Sequence, residues 1–149
     1  MAATAWAVHD NVKELVGNAV IDFDTDSFKV ILGLNASNMT TTSVSAYASV
    51  TSEVSTAFGY TQGTKALAGP TWAEAAGTAT WDDTTNPVWT ASGGSIVARK
   101  AAIYDDTVTT PSPIDSLICS SSLSSADITA TDGNTFTLTL HTSGIFTLA

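Results

Sequence analysis

Positive charge is scarce in this chain. Five lysines and arginines stand against 14 aspartates and glutamates, for a formal net charge of −9. A surface of that sign is repelled by phosphate backbones and by anionic lipid, so neither nucleic acid nor a membrane surface is expected as a partner. Charge of either sign is thin, at 13% of residues where about 25% is usual. Threonine, serine and asparagine must therefore cover much of the exterior. Cys119 is the sole cysteine, which excludes an intrachain disulfide and a cysteine-built zinc site. Set in the apolar run "SLICS", it reads as a buried, inert thiol. No apolar run approaches the roughly 18 residues of a membrane-spanning helix. The opening "MAATAWAVHD" has neither the basic start nor the apolar middle of a secretory signal. The expectation is a chain that stays in the cytoplasm where it is made, or leaves it as part of something larger.

What is present fits one domain over residues 1–149, long enough at 44% hydrophobic content to bury a core without staples. Helical signals are confined to "DNVKELVG". Asn11 is placed to cap, Glu14 completes a capping-box pattern, Val12, Leu15 and Val16 share a face, and Gly17 can end the helix. A period of two then takes over. "SFKVILGL" and "TFTLTLH" alternate cleanly, the latter with Phe136, Leu138 and Leu140 against Thr135, Thr137, Thr139 and His141. "NAVIDF" also reads as extended, making "DTDS" the turn of a hairpin. Residues 35–52 read as polar loop with at most a helical turn near Tyr47. Further strands are expected through Lys65 and Leu67, in "GTATWDD", "PVWTA", "SIVARKAAIYDD" and "IDSLICS", with Pro111 and Pro113 in a loop and a tight Asp-Gly turn in "TDGNT". Small residues at Ala98, Ala101 and Ala102 mark a central strand. The apolar ending "SGIFTLA" is expected to be tied into a sheet or a partner. Many short strands between turn residues, with one short N-terminal helix, predict a mainly β protein, a single antiparallel sandwich or Greek-key barrel.

Few residues invite a chemical role. Asp22, Asp24 and Asp26 alternate as in the opening of a calcium loop, but the sixth position is Ser27 and the twelfth Gly33, where such a loop needs Gly and a bidentate Glu. A turn closed by carboxylate-to-amide hydrogen bonds is the simpler reading. His9 and His141 are read as surface residues, and no G-x-S-x-G elbow frames a serine. The adjacent carboxylates of "WDD" (81–83) and "YDD" (104–106) point to opposite faces of a strand, which suits turn chemistry better than an acid pair. "SGG" at 92–94 lacks the lysine of a phosphate loop and reads as a turn. No metal or cofactor is expected. Of the four tryptophans, Trp6 stands in an N-terminal arm, residues 1–8, with no strand pattern. Trp6 and Val8 are the candidate partner interface; packing against the chain's own sheet is the alternative.

Several segments together resemble a widespread group of small virion proteins of tailed bacteriophages: "IDFDTDSFKVILGL", "TSEVSTAFGYTQGTKALAG", "VWTASGGSIVARKAAIYDD" and "SGIFTLA". In that group a short helix precedes I-D-x-D-T-D-x-x-K-V, followed by N-E-V, G-Y-T-x-G-G and a W-T…I-x-A-R-x-A-x-I-Y-x-D strand. The similarity runs over nearly the whole chain and departs at Ser52, often Asn, and at Thr64, often Gly. The resemblance implies a structural component of a phage particle, with no reaction of its own. The preferred expectation is a capsid decoration, or cement, protein on the outer surface of the mature head, contacting the major capsid protein and neighbouring copies of itself as a homo-oligomer on the particle. A second expectation moves the module to the tail or a head fibre as a receptor- or glycan-binding unit. A third is a hydrolase using Asp or His.

Overall fold

The two strongest strand-forming stretches set the centre of the molecule. β2 (Phe28–Gly33) and β8 (Lys100–Asp105) pair antiparallel along their whole length, from Phe28 opposite Asp105 to Gly33 opposite Lys100. β9 (Leu117–Ser122) lies on the far side of β8, and β1 (Ala7–Val8) and β3 (Lys65–Ala66) form the edges, giving the order β1-β9-β8-β2-β3. This computed structural model describes residues 6–107 and 113–148. β8 is thus central, as its small residues imply. Ala101 and Ala102 keep its neighbours close while Ile103 fills the interior on one side.

Both faces of this sheet are covered, which is why β2 is buried at nearly every position instead of at alternate ones. Phe28, Val30, Leu32, Ala101 and Ile103 face the main core, whereas Ile31, Ala102, Tyr104 and Leu117 face a second, smaller one. Over the main core lie three smaller antiparallel sheets. One has the order β12-β5-β4, from β12 (Phe146–Leu148), β5 (Thr78–Asp83) and β4 (Pro70–Ala75); β6 (Val88–Thr90) pairs with β11 (Thr135–Thr137), and β7 (Ile96–Ala98) with β10 (Ile128–Ala130). Phe23, Phe28, Trp72, Trp81 and Phe146 cluster there with ring centroids 4.7 to 6.2 Å apart. Such pairs add about 0.5–1.5 kcal/mol each beyond the area they bury. The second core is roofed by the polar segment 35–52, which contributes Met39, Val44, Tyr47 and Val50 and a 3-10 turn at Tyr47–Ser49. The protein is mainly β and antiparallel, of sandwich type, with one short α-helix among the described residues, α1 (Val12–Gly17).

Several local expectations are corrected. "NAVIDF" is not a strand, because Ile21 and Phe23 both turn inward to the main core while the chain winds through a turn; β2 has no hairpin partner there. "SIVARKAAIYDD" is two strands: at Arg99 the backbone bends, its N–H bonds to Gly33 O at 2.8 Å, and β7 leaves for another sheet. Asn11 makes no side-chain cap, and Gly17 is the last helical residue, with Asn18 beyond it. β4 lies outside the stretches expected as strands. Its hairpin with β5 turns at Ala76 (φ 53) and Gly77 (φ 85), the pair of positive φ values that suits a two-residue hairpin. The Asp-Gly turn exists, with Gly133 at φ 78, but it joins strands of two different sheets. The C-terminal residues pair with β5, as their apolar character implies.

Candidate functional site

The aspartates before β2 close a turn. Asp22 Oδ1 accepts the Asp24 N–H at 3.0 Å, Asp26 Oδ2 accepts the Asp22 N–H at 2.7 Å, and the Asp26 N–H reaches Asp22 O at 3.0 Å. The Asp24 amide, then the Thr25 hydroxyl, hold the Asp22 carboxyl below its usual range. Among the described residues no group of three or more His, Cys, Asp or Glu is arranged to hold a metal.

The other aspartates at strand ends are also structural. Asp83, 3% exposed, accepts the amides of Ala68 and Gly69 on Oδ2 and that of Thr85 on Oδ1. Asp105 is buried and accepts the Thr107 amide, while Asp106 forms an ion pair with Lys29 at 2.6 Å. In "SGG" the Gly93 N–H donates to Asp132 Oδ1 at 2.8 Å, a link between two turns.

His9 is a correction: it is 0% exposed, not a surface residue. It sits between β1 and α1 with Nδ1 2.6 Å from Val44 O and Nε2 3.0 Å from Ser120 Oγ. A carbonyl only accepts, so Nδ1 carries the proton and Nε2 accepts from the serine hydroxyl. Burial pushes the imidazole pKa below its ordinary value, opposed by the Val44 carbonyl and the Asp10 charge. The ring ties β1, the 35–52 roof and β9 together. His141 is exposed, and its Nδ1 accepts the Ser143 N–H at 3.1 Å in a turn. Cys119 is fully buried, which raises its thiol pKa.

The densest polar constellation was not singled out from composition or spacing. Glu53 accepts the Tyr60 hydroxyl on Oε1 at 2.6 Å and the Tyr47 hydroxyl on Oε2 at 2.8 Å. Tyr60 in turn accepts the Leu32 N–H at 3.0 Å, and Tyr104 donates to Gly63 O at 2.9 Å while stacking on Tyr47 with centroids 4.5 Å apart and planes 6° from parallel. Burial, followed for Tyr47 and Tyr60 by the bond to Glu53, pushes the tyrosine pKa values upward, so these phenols stay protonated and donate. Around them Val54 N–H reaches Leu32 O at 2.9 Å and Leu34 N–H reaches Ser52 O at 3.0 Å. Beyond Val30, where β3 stops pairing, residues 52–60 therefore take over the open edge of β2. The signal that could have found this cluster is the joint occurrence of "EV", "GYTQG" and "IYDD", the pieces that carry the phage resemblance.

Among the described residues, two of the open surface grooves are bordered by charged or aromatic residues. One, of about 400 Å³, is lined by Asn35, Arg99, Lys100, Ser122, Ser124 and Ser125 at one end of the central sheet. The other, of about 250 Å³, is lined by Val16, Ala19, Ile21, Asp22, Phe23 and Trp72. Neither includes His9 or Ser120.

For Trp6 and Val8 the structure shows the alternative, packing within the chain itself. Trp6 is 7% exposed and part of the main core, and Val8 pairs with Cys119 in β1 and packs on the same core. Residues 1–5 lie outside the described residues, as does Pro111. No protein-family model, curated protein or solved structure matches the chain.

Proposed function

We propose that this chain is a structural protein of a tailed-phage virion, a decoration module seated on the outer surface of the mature head against the major capsid protein and copies of itself. One observation carries this reading. Five of the residues that carry the phage resemblance, Lys29, Glu53, Tyr60, Tyr104 and Asp106, serve to fasten segments to one another: Glu53 and Tyr60 seal β2, Tyr104 holds the 59–63 turn, and Lys29 pairs with Asp106. A sequence pattern spent on fastening is the pattern of a scaffold. An acidic exterior rich in hydroxyls suits a particle surface that must resist nonspecific adhesion, and many weak contacts on a lattice act at high effective concentration. The test is copy number. Quantified against the major capsid subunit in purified particles, the protein is expected at near-lattice stoichiometry; a handful of copies per particle moves it to the tail or a vertex, and none removes it from the virion.

A second reading, a glycan-binding unit of a tail or head fibre, is favoured by the groove that brings half-buried Trp72 beside exposed Asp22. Sugars stack on aromatic faces and donate hydroxyls to carboxylates. Glycan-array binding lost on Trp72→Ala, with no affinity for expanded capsids, would select it.

A further inference from the structure

Consecutive residues of a strand point to opposite faces, so "ARKA" would separate Arg99 from Lys100. Both residues nonetheless line one groove, with Asn35, Ser122, Ser124 and Ser125. Two of the chain's five positively charged residues thus border one concave site of a molecule whose net charge is −9. Their existing partners leave capacity. Lys100 Nζ donates to Ser37 O at 2.5 Å, which uses one of three ammonium protons. The Arg99 guanidinium, a fork of five N–H donors, has a long ion pair of 3.9 Å to Asp127, itself 60% exposed. A guanidinium, an ammonium and serine hydroxyls around a shallow hollow are the donor set for carboxylates.

The same molecule carries a matching acidic feature. Asp22, Asp24 and Asp26 fall within one turn of five residues; Asp22 and Asp24 are exposed and Asp26 half-buried. That turn leads into β2, whereas Asn35, in the groove, follows it. The acidic and basic features therefore sit at opposite ends of a six-residue strand, about 20 Å apart at roughly 3.3 Å per residue. They cannot meet within one chain. Asp22 is held by the Asp24 amide and by Thr25, and Asp26 by the Asp22 amide; a carboxylate offers about four lone-pair sites, so the turn can still accept an incoming donor.

We propose that the Arg99–Lys100 groove binds the Asp22–Asp26 turn of a second copy, so that copies associate head to tail. Such a contact uses two different patches and propagates into a ring or a row, unlike a two-fold dimer that closes on itself. It is built from exposed charge pairs, so it is weak, salt-sensitive and suited to reinforcement by a lattice. It goes beyond the virion reading, because it concerns the isolated chain.

Sedimentation velocity and small-angle scattering of the purified full chain at high concentration test it. At low ionic strength species larger than the monomer are expected, and added salt dissociates them. Arg99→Glu and Asp24→Lys are each expected to be monomeric alone. Mixed, they should associate again, because the groove of Asp24→Lys takes the turn of Arg99→Glu and the two reversed charges also match each other. Thermal unfolding near that of the parent shows that each variant is folded, and Arg99→Gln and Asp24→Asn serve in place of any that is not. A monomeric parent at low salt, variants that associate like the parent, or a mixture that stays monomeric would each overturn the proposal. None of these results depends on whether the protein is found in particles.

Discussion

Ser52 occupies a left-handed conformation, φ 53, immediately before Glu53 of the tyrosine cluster. Its carbonyl accepts the Leu34 N–H, so the conformation is needed to bring residues 52–54 onto β2. Asparagine tolerates this region far better than serine, which gives physical sense to the Asn that the phage group often has here. Ser52→Asn is expected to stabilise the protein, read as a higher denaturant midpoint with unchanged slope. Tyr60 is the converse case. Tyr60→Phe keeps the ring in the core but leaves the Leu32 N–H without its acceptor and Glu53 without one donor. The expected loss is about 1–3 kcal/mol, and accelerated amide exchange at Leu32 would show that the edge of β2 has opened. An unchanged midpoint in either variant would remove the role given to that residue.

At the scale of elements, β1 is two residues long and cannot hold itself in place by its ladder alone. His9 supplies the clamp, joining it to the 35–52 roof and to β9. The imidazole is buried neutral with a depressed pKa, whereas in the unfolded chain it titrates near its ordinary value of 6.5. Below that value the unfolded state binds the extra proton, so the stability tied to neutral His9 is present above pH 6.5 and is lost as pH falls toward the folded pKa. The slope reaches at most about 1.4 kcal/mol per pH unit. His9→Gln is expected to be less stable at neutral pH and to show a flatter profile from pH 6.5 downward in urea titrations. A parallel profile would place the acid sensitivity in the carboxylates. Amide exchange of Ala7 and Val8 should quicken over the same range in the parent, since the element that His9 fastens opens with it.

For the whole molecule, the proposed role as a reinforcing module on a phage head has a physical readout. Particles lacking the protein are expected to assemble and to release DNA at a lower temperature, and adding the purified chain back should restore the parent release curve. Unchanged heat release would remove the reinforcing role while leaving the fold and the head-to-tail contact to stand on their own tests.

Amino-acid order alone determined the mainly β class, the short helix, the alternation of Phe136, Leu138 and Leu140, the inert Cys119 and the aspartate turn, because each rests on interactions within a few residues. It also brought out the phage resemblance, a pattern of ordered short pieces. Only tertiary structure decided that Trp6 faces inward, that His9 is buried against Val44 and Ser120, that "SIVARKAAIYDD" splits at Arg99, and that Glu53 gathers Tyr47 and Tyr60. Those outcomes depend on partners far along the chain, 111 residues away in the case of His9 and Ser120. Local period and propensity cannot specify a contact whose other half is chosen by how sheets stack.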